Sequence, residues 1–460
     1  MKAVKNATTT ANANETPRMV MKKRKALAHQ AKALEWAFPR NRIPLFMRMR
    51  LGKTLVAIRW AQNKGCKKIL VIAPLTVVPT WQEELRQEGV WLAATLLGPE
   101  KQWRHKLDQS HTWYLTNYER ARLSPWLFDL KWDCLILDES VTIRKPKAQI
   151  TKLLVNECQH IPYRAALTGM PNPESFLDFF EQMRFLFGEF LGFNNYWHFA
   201  DAHFNSVGYD LHIKRKSRDL IIGTVHKRSY VLTRKDVGVG STPVHQTRWL
   251  DLPSPIRKKY KHLEDKWAVD DYETACKLTQ MLWLQKIAGG CAMEGLKHKA
   301  KLKELLGLLG GELRGEQVIV WFRFNDELFA CQKKIGNAVS IYGDVPIKVR
   351  KARLKKFTQG KARVLLAQAA CAKYGLDCSN SDTMIYFSRY FDANINLQSQ
   401  ERFIHPKQKR DKLIIDLVVK DTVDVDILTA IKTKKFQQGL VSNQLLKRMI
   451  LKNFSERLAA

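Results

Sequence analysis

Gly52, Lys53 and Thr54 stand together within FMRMRLGKTLVAIRW (residues 46–60), and their types are those that bind phosphate. Where a strand turns into a helix, backbone N–H groups and the positive end of the helix dipole face phosphate oxygens. A lysine there adds a mobile charge for the outer phosphates, and a threonine hydroxyl reaches Mg2+. The full G-x-x-x-x-G-K-[ST] pattern fails, because Met47 stands at the first glycine and Arg50 at another position commonly glycine. Alone, the tripeptide is a weak signal.

Asp138-Glu139 strengthens it. The pair closes the apolar run CLIL, 85 positions beyond Lys53 (138 − 53). A carboxylate at the carboxyl end of a buried strand lies where open α/β sheets bind ligands. Asp138 is suited to holding Mg2+ through water, and Glu139 to orienting and deprotonating an attacking water. A solvent-facing acidic pair at a strand end is the plainer alternative. A third apolar run, AALT, ends on the polar Thr168 and is followed by Gly169. Three such strand ends on one crevice point to phosphate chemistry assisted by a metal.

Those strand ends need a layered α/β scaffold. Continuous apolar runs at 69–73 (ILVIA), 134–137 (CLIL) and 165–168 (AALT) predict parallel strands buried on both faces. The same signal returns at 318–322, 364–367, 384–387 and 413–418, after a leucine stripe of helical spacing at 302–309. With 460 residues, two main domains are expected. The reading is a disordered basic tail over 1–24, a first α/β domain over 25–235, a helical insertion and linker over 236–296, a second α/β domain over 297–430, and a basic C-terminal helix over 431–460.

The formal charge of +33 points to a polyanionic partner, nucleic acid before a membrane surface. Two stretches concentrate it: 212–235 and 344–363 each carry eight Lys or Arg against a single acid. No base-reading helix or finger is evident, so contacts to the phosphate backbone are expected. Trp81, Trp113 and Trp197 are candidates for base stacking, with core packing the safer assignment for each. No apolar run is long enough to span a membrane, and no signal peptide is visible. Eight cysteines without a C-x-x-C pair fit a reducing, cytoplasmic setting.

Taken in order, AHQAKAL, MRLGKT, VIAPLTVVPTWQEEL, YLTNYE, LILDESVTIRKPKAQ, ALTGMPNPES, VIVWFRFNDEL, IYGD, AKYGLD and QSQERFIHPKQ resemble the blocks of the Swi/Snf-like branch of the superfamily-two helicases. The resemblance covers about residues 25–430, and the compact length resembles the small versions found in bacteriophages. It implies two tandem RecA-like parallel-sheet domains around a cleft and an ATP-driven motor on nucleic acid, double-stranded DNA in particular. Gln30 would read the adenine edge, Gly52, Lys53 and Thr54 would hold phosphates and Mg2+, and Asp138 and Glu139 would act as above. Pro74, Thr76, Thr116, Asn117 and Tyr118 lie in blocks that face the nucleic-acid strand. Thr168 and Gly169 would couple ATP state to grip, Gly375 and Leu376 would touch ligand and strand, and Gln398 and Arg402 would face the γ-phosphate from the second domain.

Two departures stand out. Val141 replaces the family's histidine in the acidic quartet, and His405 stands where a second arginine is expected. Histidine is shorter than arginine and mostly neutral near pH 7. Either Arg402 suffices, or Lys407 or Arg410 substitutes, or hydrolysis is slow. Two alternatives to a duplex translocase stay open: a strand-separating helicase, and a nucleic-acid-binding protein on a degenerate motor scaffold with little or no hydrolysis.

Overall fold

A computed structural model describes residues 24–432, apart from 110, 170, 172–174, 208–209, 238–242, 267, 270–271, 274–275, 291–294, 375–377 and 405–410. Two parallel sheets organise it. The first has seven strands in the order Ala93–Thr95, Trp113–Asn117, Ile69–Ala73, Cys134–Asp138, Tyr163–Leu167, Arg42–Met47 and Tyr230–Leu232. Every neighbouring pair in it is parallel.

The continuous apolar runs have a simple cause. Ile69, Val71 and Ala73 enter one core with helix Lys53–Asn63, while Leu70 and Ile72 enter another on the opposite face. Cys134 and Ile136 follow the first set, and Leu135 and Leu137 the second. Successive side chains of a strand point to opposite faces, so a strand covered on both sides must be apolar throughout.

From 176 to 228 the chain builds a helical cap on this lobe. Helices Asp178–Phe187, Tyr196–His203 and Arg215–Arg228 and a short hairpin surround Phe176, Phe179, Phe180, Phe190, Phe199 and Phe204. The chain then rejoins the sheet edge through Tyr230–Leu232, beside Arg42–Met47. Arg164 locks the underside of the lobe. It is fully buried, and it donates to the carbonyls of Cys158 (3.2 Å), Gln159 (2.7 Å), Ile161 (2.6 Å) and Leu186 (2.7 Å). Those carbonyls lie at or just past the ends of helices Gln149–Glu157 and Asp178–Phe187. Burial first, and the like charge of Arg42 second, pull its guanidinium down to about 10.

The second sheet has six parallel strands in the order Val244–Leu250, Leu413–Val419, Thr383–Tyr386, Val318–Phe322, Val364–Gln368 and Ala338–Ile341. Here the linker expected over 236–296 is corrected. Val244–Leu250 pairs along its whole length with Leu413–Val419 as an edge strand. Helices Ser254–Lys266 and Lys277–Gly289 share one core with Val423–Lys432 through Leu263, Met281, Leu284, Ile287, Val419 and Ile427. An edge strand is half solvated, so VHQTRWL lacks the continuous apolar signal of its neighbours. The tail 1–23 and the expected helix beyond 432 lie outside the described residues. Among the described residues no helix is long and apolar enough to cross a membrane.

Candidate active site

The phosphate-type loop runs from the end of strand Arg42–Met47 to the start of helix Lys53–Asn63. Gly52 precedes the helix at φ +87°, and a Cβ there would fall 2.2 Å from Gln30 Nε2. The conformation demands glycine, and a methyl there would also force the Gln30 amide to move. Arg50 takes a left-handed φ of +65° with a side chain attached, a strained choice for a residue that is not glycine. Lys53 is buried at the first helical position and donates from Nζ to the Met47 carbonyl at 3.0 Å, closing the loop on itself. Thr54 follows, half-buried, in the first turn. Gln30 lies over the loop, accepting from Leu27 N (3.0 Å) and donating to Leu51 O (3.4 Å).

Asp138 ends the central strand Cys134–Asp138 and is buried. One carboxylate oxygen accepts from Trp81 Nε1 at 2.8 Å, and the other from Glu139 N at 3.0 Å. Burial first, and the charge of Glu139 second, push its carboxyl up to about 6, against the opposing pull of Lys53 and Trp81. Glu139 adopts φ +50° and accepts from Thr168 Oγ1 at 3.1 Å. Thr168 in turn donates its backbone N–H to Leu45 O at 3.2 Å, on the strand that feeds the loop. Gly169 lies close by, since a Cβ on it would meet Met49 N at 3.3 Å. Loop, acidic pair and Thr168-Gly169 therefore form one bonded constellation.

Gln398 and Arg402 lie four residues apart on helix Ala393–Phe403 of the second lobe, hence on one face. That helix end meets the loop directly: Arg50 donates to Arg402 O at 3.0 Å and to Ile404 O at 3.2 Å. Gly375, Leu376, His405, Lys407 and Arg410 lie outside the described residues.

The expected strand-facing residues divide. Pro74 and Thr76 occupy the half-exposed turn after Ile69–Ala73. Thr116 is corrected: it is fully buried, with Oγ1 donating to Leu96 O at 2.9 Å. Its strand is covered by a core on each face, Trp113 and Leu115 in one and Tyr114 in the other, and the Thr116 hydroxyl is spent on a backbone carbonyl inside the lobe. Asn117 caps helix Tyr118–Leu123 by accepting from Arg120 N at 3.0 Å. Tyr118 is likewise turned inward, donating its hydroxyl to Asp138 O at 2.8 Å, and burial holds its phenol well above the usual range.

Trp81 and Trp113 are core residues, whereas Trp197 is exposed with Lys147 Nζ 5.3 Å from its ring centre. Both basic stretches form helices anchored by few apolar residues. Arg215–Arg228 exposes Arg215, Lys216, Arg218 and Lys227 over Ile221 and Val225. Ile347–Thr358 exposes Lys348, Lys351, Lys355 and Lys356 over Phe357. The site also depends on two residues whose contacts no local pattern announces, Trp81 and Arg50. Their partners are 57 and 352 residues away.

Known families match both lobes. A model of the SNF2-related domain matches residues 29–279, more than half of the chain, and a model of the helicase conserved C-terminal domain matches 298–406. The CHD3-type chromatin-remodeling factor CHR7 of Arabidopsis thaliana is 21% identical, over 85% of this chain and 35% of that protein. The ATP-dependent helicase brm of Drosophila melanogaster is 22% identical, over 88% of this chain and 28% of that protein. The chain thus spans about a third or less of the length of these relatives. The Sulfolobus solfataricus SWI2/SNF2 ATPase core in complex with dsDNA aligns with a TM-score of 0.45 at 20% identity, covering 92% of this chain and 94% of that one. With the Lys53 loop and the Asp138-Glu139 pair on one lobe, the Arg402 helix on the other, and the family model matched across residues 29–279, the chain belongs to the SNF2-related family, with the helicase conserved C-terminal domain as its second lobe.

Proposed function

We propose that this chain hydrolyses ATP with Mg2+ in the cleft between its lobes and uses the cycle to move along double-stranded DNA. The observation that carries the reading is the meeting of Lys53, Asp138, Glu139 and Thr168 at adjacent strand ends, with the Arg402 helix bonded to the same loop. The residues suit a nucleotide and a divalent cation. Asp138 is a buried acid held near pH 6 by its surroundings, and a cation beside it would relieve the repulsion from Glu139. Lys53 has an ammonium inside the loop, with Thr54 presenting a hydroxyl in the same first turn.

On this reading Lys53 and the backbone around Gly52 hold the phosphates, Thr54 and Asp138 hold Mg2+, and Gln30 reads the base. The bound cation supplies neutralisation of the charge that builds on the phosphates. Glu139 takes the proton of the attacking water, its carboxylate oriented by Thr168 Oγ1. Arg402, with Gln398 on the same face, completes the site from the second lobe. Because Thr168 is bonded both to Glu139 and to the strand leading into the loop, a change at the phosphates reaches Gly169 and the residues beside it.

For the track, Pro74 and Thr76 with the exposed cations of the two basic helices, one per lobe, support backbone contacts of low sequence specificity. Alternating closure and opening of the cleft then gives movement. The setting inferred is cytoplasmic, where the cysteines stay reduced.

The test is steady-state phosphate release with no nucleic acid, single-stranded DNA, duplex DNA and RNA, at two salt concentrations. Stimulation by duplex DNA that is lost in Lys53→Ala is expected. Absence of stimulation, or an unchanged rate in Lys53→Ala, refutes the motor. Arg50 and Met47 in the loop favour one second reading, a nucleic-acid-binding protein with little hydrolysis, and the same assay decides it. Forked and Holliday-type substrates separate strand opening from translocation.

A further inference from the structure

We propose that Arg50 is a positioning residue that spans the cleft, holding the end of the second-lobe helix, and with it Arg402, against the phosphate loop. The inference rests on the ATPase reading above and adds a residue to it. Arg50 lies two positions before Gly52, in the turn between strand Arg42–Met47 and helix Lys53–Asn63. Its guanidinium donates through Nη2 to Arg402 O (3.0 Å) and through Nη1 to Ile404 O (3.2 Å).

The partners are well matched. The last carbonyls of a helix lack intrahelical donors and carry the negative end of its dipole, and a planar guanidinium fork can satisfy two at once. Arg402 O also accepts from Cys378 N at 3.2 Å, so the carbonyl that Arg50 grips is joined to the segment around 378 as well. On its own side, Arg50 has a left-handed φ of +65°. A side chain there is strained unless surrounding contacts over-determine it. The cross-lobe bonds are such contacts, and they make loop shape and cleft closure one event: separating the lobes breaks both bonds and releases the strained turn.

Arg50→Gly is the informative variant, because glycine suits φ +65°, so the turn can keep its shape while the guanidinium is lost. Two measurements on the full chain decide it. In nucleic-acid-stimulated ATPase, kcat is expected to fall about tenfold or more, while KM for ATP stays within about threefold, since delivery of Arg402 and not nucleotide binding is impaired. In small-angle X-ray scattering without nucleotide, the variant is expected to show a larger radius of gyration and a broader distance distribution than wild type. Arg50→Lys, which keeps the charge and loses the fork, should behave like Arg50→Gly. A wild-type kcat, a raised kcat or a wild-type scattering profile in Arg50→Gly overturns the proposal. A wild-type chain without ATPase activity would instead sink the functional reading, and the scattering comparison would still decide whether Arg50 holds the lobes together.

Discussion

Trp81→Phe tests whether a buried hydrogen bond sets the working pH of the site. Trp81 is fully buried, and its Nε1 donates to Asp138 at 2.8 Å. The bond favours the carboxylate, while burial and Glu139 oppose it, and the balance leaves the acid titrating at about 6. A hydrogen bond to a charged group contributes about 1.5 to 3 kcal/mol. One pKa unit corresponds to about 1.4 kcal/mol, so losing the bond should raise the Asp138 pKa by about one unit or more. The acid must be ionised to hold a cation, hence the rate falls as pH drops through this pKa, and a higher pKa moves that fall to higher pH. In the variant, ATPase at pH 7 should be several-fold lower and should recover toward the wild-type plateau by about pH 8.5. The smaller ring also leaves a cavity, costing about 1 to 3 kcal/mol of stability, but a packing defect alone lowers activity at every pH. The assay is the pH–rate profile at saturating ATP with free Mg2+ fixed below saturation, where proton and cation compete for Asp138. An acid limb that stays in place refutes the argument that Trp81 tunes Asp138.

Other outcomes follow from the same geometry. Arg164→Met should lower unfolding stability by about 3 kcal/mol or more, because four carbonyls lose the Arg164 donor, three of them in buried bonds, even though Cys158 O still accepts from Ile161 N; an unchanged urea midpoint would contradict this assignment. Gly52→Ala should abolish ATP binding measured by calorimetry, and Gln30→Ala in the same chain should restore only part of it, since it removes the 2.2 Å clash but leaves φ +87° in place and takes away the side chain that reads the base. Full restoration would mean that backbone conformation does not matter there. Reversing Lys351 and Lys355 to Glu on helix Ile347–Thr358 should weaken DNA binding and reduce its dependence on log salt concentration by about two or more, with basal ATPase unchanged. An unaltered salt slope removes this helix from the track.

Much of the architecture was legible in the chain itself. ILVIA, CLIL and VIVWF are strands because a strand covered on both faces needs apolar residues at every position, and no long-range knowledge is required to see it. The Gly52-Lys53-Thr54 turn and Asp138-Glu139 were equally visible, since strand ends and helix starts are local events. Their meeting also followed once the sheet was parallel, because parallel strands bring their carboxyl ends to one edge.

What the chain could not announce were choices among equivalent polar residues and pairings across long separations. Thr116 and Thr168 both end apolar runs, yet one hydroxyl turns to Leu96 O and the other to Glu139. Only the neighbours on each side of their strands distinguish them. Val244–Leu250 joined the second sheet because Leu413–Val419 offered it an unpaired edge, some 170 residues away. Arg50 read as damage to a phosphate loop, and only the arrival of the Arg402 helix across the cleft turned it into a contact. Local pattern determines which residues are buried and where elements begin; tertiary structure alone decided which polar groups meet, because their partners come from strands and helices that the chain does not place side by side.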